Sequence, residues 1–311
     1  MHIPFIGFDE MDSLLDWQGV TDAMLAGHRL AAPSIADGFA YRGEDTLLSR
    51  AAWIDGLGVA VKSATIVPSN VAKGLPMIHG GVMVFADDTG VLEAVIDFHL
   101  VTKWKTAGDS LLGAKLLARK GIKKVLIVGA GTVGANLVAA YGSAFDGLQF
   151  SVWNRTAAKA VDFAKSLQAG YDISAVPDLP AAVAAADVVC CATMSTDPVV
   201  QGEWLQAGQH IDLIGAYRPD MREVDDTALT RSRIFVDSRE TTLDHIGELK
   251  IPLKNGVITR DDVQGDLYDL AQGNAGRQAD SDITLFKNGG GAHLDLMTAK
   301  YILQKWKTLN P

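Results

Sequence analysis

Cysteine is nearly absent. The only two, Cys190 and Cys191, are adjacent at the end of the apolar run ADVVCCAT. Neighbouring thiols leave no intrachain disulfide framework and no cysteine metal cluster, so both are expected in the core and no metal site is expected. Positive charge is also in deficit, with 28 Lys and Arg against 37 Asp and Glu, a net charge of −9. Nucleic acid needs a basic face, so the balance excludes it as a partner and favours a small metabolite. No apolar run reaches the roughly 18 residues of a membrane span. The opening MHIPFIGFDEMDSLLDW has no basic segment and meets acids by Asp9 and Glu10, so a cytoplasmic protein without a membrane partner is expected. No period of about 20 to 50 residues repeats and no segment is low in complexity, which removes solenoids and long linkers.

What is present is a globular balance, 48% hydrophobic and 21% charged over 311 residues, enough for one large or two medium domains. From about Thr46 to Val101 the text is strand-like: TLLSRAAWI, GLGVAVKSATIV and HGGVMVFADDTGVLEAVID. The turn residues Asp87 to Gly90 join two of these runs as a hairpin would. This part reads as mainly antiparallel β. From about Thr106 the period becomes helical, and short apolar runs then alternate with helices, the pattern of a doubly wound parallel sheet. The fold class expected is α/β. A first domain over 1–105, joined by a C-terminal helix at 290–311, precedes a Rossmann domain over 106–289. DITLFKNGGGAHLDLMTAKYILQKWK reads as one further strand-turn-helix unit whose helix packs back on the first domain.

Within the second half, KVLIVGAGTVGANL carries Gly129, Gly131 and Gly134 in the G-x-G-x-x-G spacing. A strand ends at the first glycine and an apolar helix opens at Thr132 and Val133, the context that gives the motif meaning. Gly131 would let the backbone approach a pyrophosphate, which the helix N-terminus then stabilises. A carboxylate about 20 residues further on normally takes the ribose hydroxyls of NAD. It too is missing: QFSVWNRT places Asn154, Arg155 and Thr156 there. An amide, a planar guanidinium and a hydroxyl suit a 2′-phosphate, so NADPH is expected, with NADH as the alternative.

Arg50 in LLSRAAWI and Lys62 in GVAVKSAT interrupt apolar strands, and Lys103 and Lys105 in VTKWKTAGDS stand just before the next helix. Such cations would fit a substrate carboxylate. His79 in MIHGG is a further imidazole candidate.

Together, VTKWKTAGDSLLGAKLLA, the glycine fingerprint with WNRT, IGAYRPDMREVDD, FVDSRETTLDHIGEL and ITLFKNGGGAHLDL resemble the ornithine cyclodeaminase and mu-crystallin family, in order and over most of the chain. The resemblance implies a substrate and dimerisation domain paired with an NAD(P)(H)-binding Rossmann domain, hence a homodimer. It places Arg50, Lys62 and Lys105 where the family holds the substrate carboxylate, Lys105 standing for a common arginine. Thr106 and Thr193 join Gly129, Gly131, Thr132, Val133, Gly134, Asn154, Arg155 and Thr156 as candidate cofactor contacts.

Family members cyclise ornithine, reduce ketimines or imino acids, dehydrogenate alanine, or only bind ligands. Ornithine cyclodeaminases resemble the GAYRPD loop but carry an Asp where Tyr217 stands. A tyrosine, with an unperturbed pKa of about 10, is no anion for a diamine near neutral pH. The wording is most similar to the Δ1-pyrroline-2-carboxylate reductase branch, which implies reduction of a cyclic imino acid to L-proline. An ornithine cyclodeaminase, another imino-acid reductase, an alanine dehydrogenase and a non-catalytic NADPH- and small-ligand-binding protein are the alternatives.

Overall fold

The computed structural model describes residues 3–310. It divides into two compact units, one made of the chain up to Lys105 and from Gly291 onward, the other of Thr106–Gly290. Among the described residues no helix is long and apolar enough to cross a membrane.

The first unit is built on six strands: β1 (Phe5–Ile6), β2 (Ser34–Arg42), β3 (Asp45–Ile54), β4 (Gly58–Ile66), β5 (Ile78–Phe85) and β6 (Leu92–Asp97). Their order is β1-β6-β5-β4-β3-β2, antiparallel throughout except where β1 runs parallel to β6. The β5–β6 turn closes at Gly90, whose N–H donates to the Ala86 carbonyl with φ at +66°. Alternation decides the faces. Ala52, Ile54, Ala60, Ala64, Val82, Val84, Ala94 and Ile96 are buried. The long helix Ala292–Leu309 lies against β3, β4 and β5, and the helix Trp17–Gly27 packs on it in turn. The opposite face carries Leu47, Ala51, Trp53, Val59, Val61 and Met83, none of them buried.

Two boundaries differ from the sequence reading. The antiparallel part of the sheet begins at β2, before Thr46, because Ser34–Arg42 pairs with β3 along its whole length. The following helix, Phe98–Leu117, begins eight residues before Thr106, so Lys103 and Lys105 lie inside it rather than ahead of it. The cause is Asp97, whose carboxylate accepts the His99 and Leu100 N–H groups and caps the first turn.

The second unit has eight parallel strands: β7 (Lys124–Val128), β8 (Gln149–Trp153), β9 (Asp172–Ala175), β10 (Val188–Cys191), β11 (His210–Leu213), β12 (Arg233–Val236), β13 (Val263–Asp266) and β14 (Thr284–Lys287). Their order is β13-β12-β14-β11-β10-β7-β8-β9. Strand order reverses between β7 and β10, the crevice where doubly wound sheets bind ligands. The strand of DITLFKN takes a central place in this sheet. As β14 it lies between β11 and β12, buried along its length, because all four of its side chains find cover in the middle of the sheet. Cys190 and Cys191 are free and buried in β10.

Candidate functional site

At the end of β7 the chain turns at Gly129, whose φ of +118° only glycine tolerates and whose added Cβ would come within 2.5 Å of the Ala192 carbonyl. Gly134 is needed for closeness: a Cβ there would meet the Gly129 carbonyl at 2.5 Å, so helix Thr132–Ala144 packs directly on its strand. At Gly131, in contrast, a Cβ would meet nothing within 4 Å. Thr132 is exposed, Val133 half-buried, and the helix has no side-chain cap. An uncapped first turn with open space before it is the cradle that a pyrophosphate fits, so these residues suit a dinucleotide.

Asn154 at the end of β8 is already engaged. Its Oδ1 accepts the Ala130 N–H at 3.3 Å and its Nδ2 donates to the Thr156 carbonyl at 3.1 Å, tying the glycine turn to the next strand. Its part is to shape the loop, so the 2′-phosphate reading rests on its neighbour. Arg155 is exposed and has no ion-pair partner among the described residues. Thr156 is exposed beside it, and Thr106 is half-buried in helix Phe98–Leu117.

On the other side of the switch point, the loop after β10 carries Thr193 and the loop after β11 carries Gly215, Ala216 and Tyr217. Tyr217 is 59% exposed. One buried carboxylate joins these loops: Glu223 Oε1 accepts the Thr193 N–H and hydroxyl, at 2.7 and 2.8 Å, and Oε2 accepts the Gly215 and Ala216 N–H groups, at 2.7 and 3.1 Å. Behind it, Glu248 accepts the backbone N–H groups of Glu223 and Val224. Lys287, fully buried, donates to the Leu213, Ala216 and Asn288 carbonyls. Burial pushes the Glu223 carboxyl upward, helped by the charge of Glu248, while Lys287 and the Thr193 donors oppose it; the four donors aimed at its two oxygens match the ionised form. Burial raises Glu248 as well.

The first unit holds the expected cations. Arg50 on β3 and Lys62 on β4 are cross-strand partners, which puts both on the face that helix Ala292–Leu309 covers. Lys62 is buried; its ammonium donates to Asp295 of that helix at 2.9 Å and to Thr102 at 3.0 Å, and lies 4.4 Å from the Phe98 ring centre. Burial lowers its pKa to about 8, with Asp295 opposing and the charges of Lys105 and Arg50 adding to the fall. Lys105 is buried too. Arg50 grips Asp37 on β2 with Nη2 at 2.8 Å. Arg50 and Lys62 thus already face carboxylates, so the cluster is of mixed charge rather than one of bare cations. His293, close to Asp295 on the same helix, is fully buried, meets His28 edge-on at 5.5 Å between ring centres, and is kept neutral by burial and by the neighbouring positive charges.

Two candidates fall outside this group. His79 on β5 is exposed and, being odd-numbered where Val82 pairs with Lys62, points to the opposite face of the sheet. Lys103 pairs with Asp12 at 2.7 Å, and Asp12 also accepts from the Trp104 indole, so it belongs to a separate contact that fastens the chain start to this helix. Sequence reasoning missed Asp37, Asp295, His293 and Glu223. For Asp295 a signal was present, a carboxylate inside the apolar helix text AHLDLMTA.

The sequence profile of the ornithine cyclodeaminase/mu-crystallin family matches residues 53–310. A Δ1-pyrroline-2-carboxylate reductase of Paracoccus denitrificans is 49% identical over 301 residues, covering 96% of this chain and 95% of that protein. Among solved structures, Thermococcus litoralis Δ1-pyrroline-2-carboxylate reductase in complex with NADH and L-proline superposes with a TM-score of 0.88 at 26% identity, over 99% of this chain and 98% of that one. An archaeal alanine dehydrogenase dimer with bound NAD gives 0.91 at 27% identity, over 100% and 98%.

Proposed function

The chain belongs to the ornithine cyclodeaminase/mu-crystallin family, and from that premise we propose that it is an NAD(P)H-dependent imine reductase converting Δ1-pyrroline-2-carboxylate to L-proline. The observation that carries the reading is that Arg50 and Lys62 stand side by side on β3 and β4, with Lys62 bonded to Thr102, one helical turn before the buried Lys105. A small carboxylate is the ligand such a group suits, and Arg50 and Lys62 hold it by charge-assisted hydrogen bonds. A protonated pyrroline nitrogen is already electrophilic, so the chain's chief task is to fix the imine carbon in position. When bound, the dinucleotide supplies the hydride. Where the cyclodeaminases carry their Asp, the GAYRPD loop presents Tyr217, and its Asp220 is paired with Arg218, which leaves ornithine cyclodeamination without its anion. For the cofactor, the exposed guanidinium of Arg155 favours NADPH, and nothing at Asn154 or Thr156 obstructs the ribose of NADH. The reduced, buried thiols Cys190 and Cys191 suit a place in the cytoplasm. The direct test is oxidation of NADPH by Δ1-pyrroline-2-carboxylate with L-proline as the product.

Lys62 gives the reaction a pH signature. Its charge persists only below about 8, so kcat/KM for the imino acid is expected to drop about tenfold per pH unit above that value. Stability moves the other way. The unfolded chain keeps this lysine protonated up to its ordinary 10.5, the folded chain only to about 8, so between these values the unfolded state binds the extra proton and rising pH favours the fold. Lys62→Arg keeps its charge and should remove the alkaline fall in kcat/KM; an identical fall in that variant contradicts the assignment.

We also propose that the face of the first unit bearing Leu47, Ala51, Trp53, Val59, Val61 and Met83 is covered by a second copy of the chain, since that much apolar surface calls for a partner. Light scattering at micromolar concentration should give the mass of a homodimer. A monomer contradicts it.

A further inference from the structure

Glu223 lies 30 residues from Thr193 and 8 from Gly215 in sequence, yet its two oxygens take four hydrogen bonds from the loops after β10 and β11. The approach is close: a Cβ on Gly215 would run into the Thr193 backbone and the Glu223 carboxylate. The two loops are backbone against backbone with the carboxylate as their clasp. They also stand next to the glycine turn, since Ala192 donates to the Val128 carbonyl and Gly215 to that of Cys191. The clasp is itself held, with its own N–H on Glu248 and its carbonyl accepting from Val199 and Val200.

The geometry points to Glu223 as a positioning residue for the nicotinamide end of the cofactor: by clasping Thr193 to Gly215 and Ala216 it fixes the loop ends beside the switch point and aims Tyr217. This rests on the reductase reading above. The glycine turn and Arg155, which serve the pyrophosphate and the adenosine, are fastened by other bonds, through Asn154 and helix Thr132–Ala144. Loss of the clasp therefore weakens one end of the cofactor and spares the other.

Glu223→Gln keeps the shape but turns an amide N–H₂ towards two of the four donors. Two ligands separate the ends: NADPH, and ADP-ribose 2′-phosphate, which lacks only the nicotinamide. Binding of each is read by calorimetry, alongside kcat and the unfolding temperature. The expected result is about a tenfold weaker NADPH, a kcat lower by a similar factor, and ADP-ribose 2′-phosphate bound as in the parent. Equal weakening of both ligands, or unchanged NADPH binding and kcat, overturns the proposal. If Glu223→Gln fails to fold, Glu223→Asp, too short to reach both loops, takes its place with the same two ligands, and the same results support or overturn the proposal. The binding readout needs no imine. A parent protein that binds NADPH but does not turn over the imino acid would sink the reductase reading, while the NADPH difference would still decide on Glu223.

Discussion

Arg50→Ala is expected to lose at least about a hundredfold in kcat/KM for the imino acid while binding NADPH nearly as the parent does. The anchor sets the imine carbon relative to the hydride, and misplacement by about 1 Å can cost on the order of a hundredfold. Arg50 is the clean position for this test. Its pair with Asp37 is partly solvent-exposed, and such pairs contribute about 0–1 kcal/mol, so the fold should tolerate the change. Lys62→Ala should lose as much activity but for two reasons at once. It also strands Asp295, which is 1% exposed, and an orphaned buried charge costs about 3–5 kcal/mol. The double variant Lys62→Met with Asp295→Asn should recover most of that stability and none of the activity. Steady-state kinetics and denaturant melts of the three variants check this. Recovered turnover in the double variant would mean that the lysine acts through folding alone.

Arg155→Ala is expected to raise the NADPH dissociation constant by tens of fold and leave NADH almost unchanged. A charge-assisted pair with a 2′-phosphate contributes about 1.5–3 kcal/mol, and Arg155 has no competing ion pair among the described residues. Fluorescence titration of both cofactors reads it directly. Equal effects on the two would make Arg155 an ordinary surface residue and leave NADH as the natural cofactor.

The parts of this site that were legible are those written in neighbouring residues. Gly129, Gly131 and Gly134 serve one turn: the contacts a Cβ would make at Gly129 and Gly134 explain those glycines, and Gly131 faces open space. Arg50 and Lys62 were visible as charges in apolar strands, and pairing of β3 with β4 places them side by side. What neutralises them was not visible. Asp295 lies 233 residues beyond Lys62, and only the return of the C-terminal helix onto the sheet brings it in. Glu223 was hidden for a similar reason: a glutamate among the charges of RPDMREVDD reads as surface, and burial under two loop backbones is a tertiary fact. His79 and Lys103 illustrate the opposite error. Each is the right residue type near the right text, yet strand parity turns one to the far face and helical phase turns the other to Asp12.

This chain is expected to reduce a cyclic imino acid and not to deaminate ornithine. The most direct measurement sets the two reactions side by side on one preparation: NADPH oxidation with Δ1-pyrroline-2-carboxylate, and ammonia release from L-ornithine with the oxidised cofactor. Rapid oxidation with formation of L-proline, and no ammonia above background, is the expected result. Ammonia at a rate comparable to imine reduction would contradict the reading of Tyr217, and tight NADPH binding with neither reaction would replace the enzyme with a binding protein.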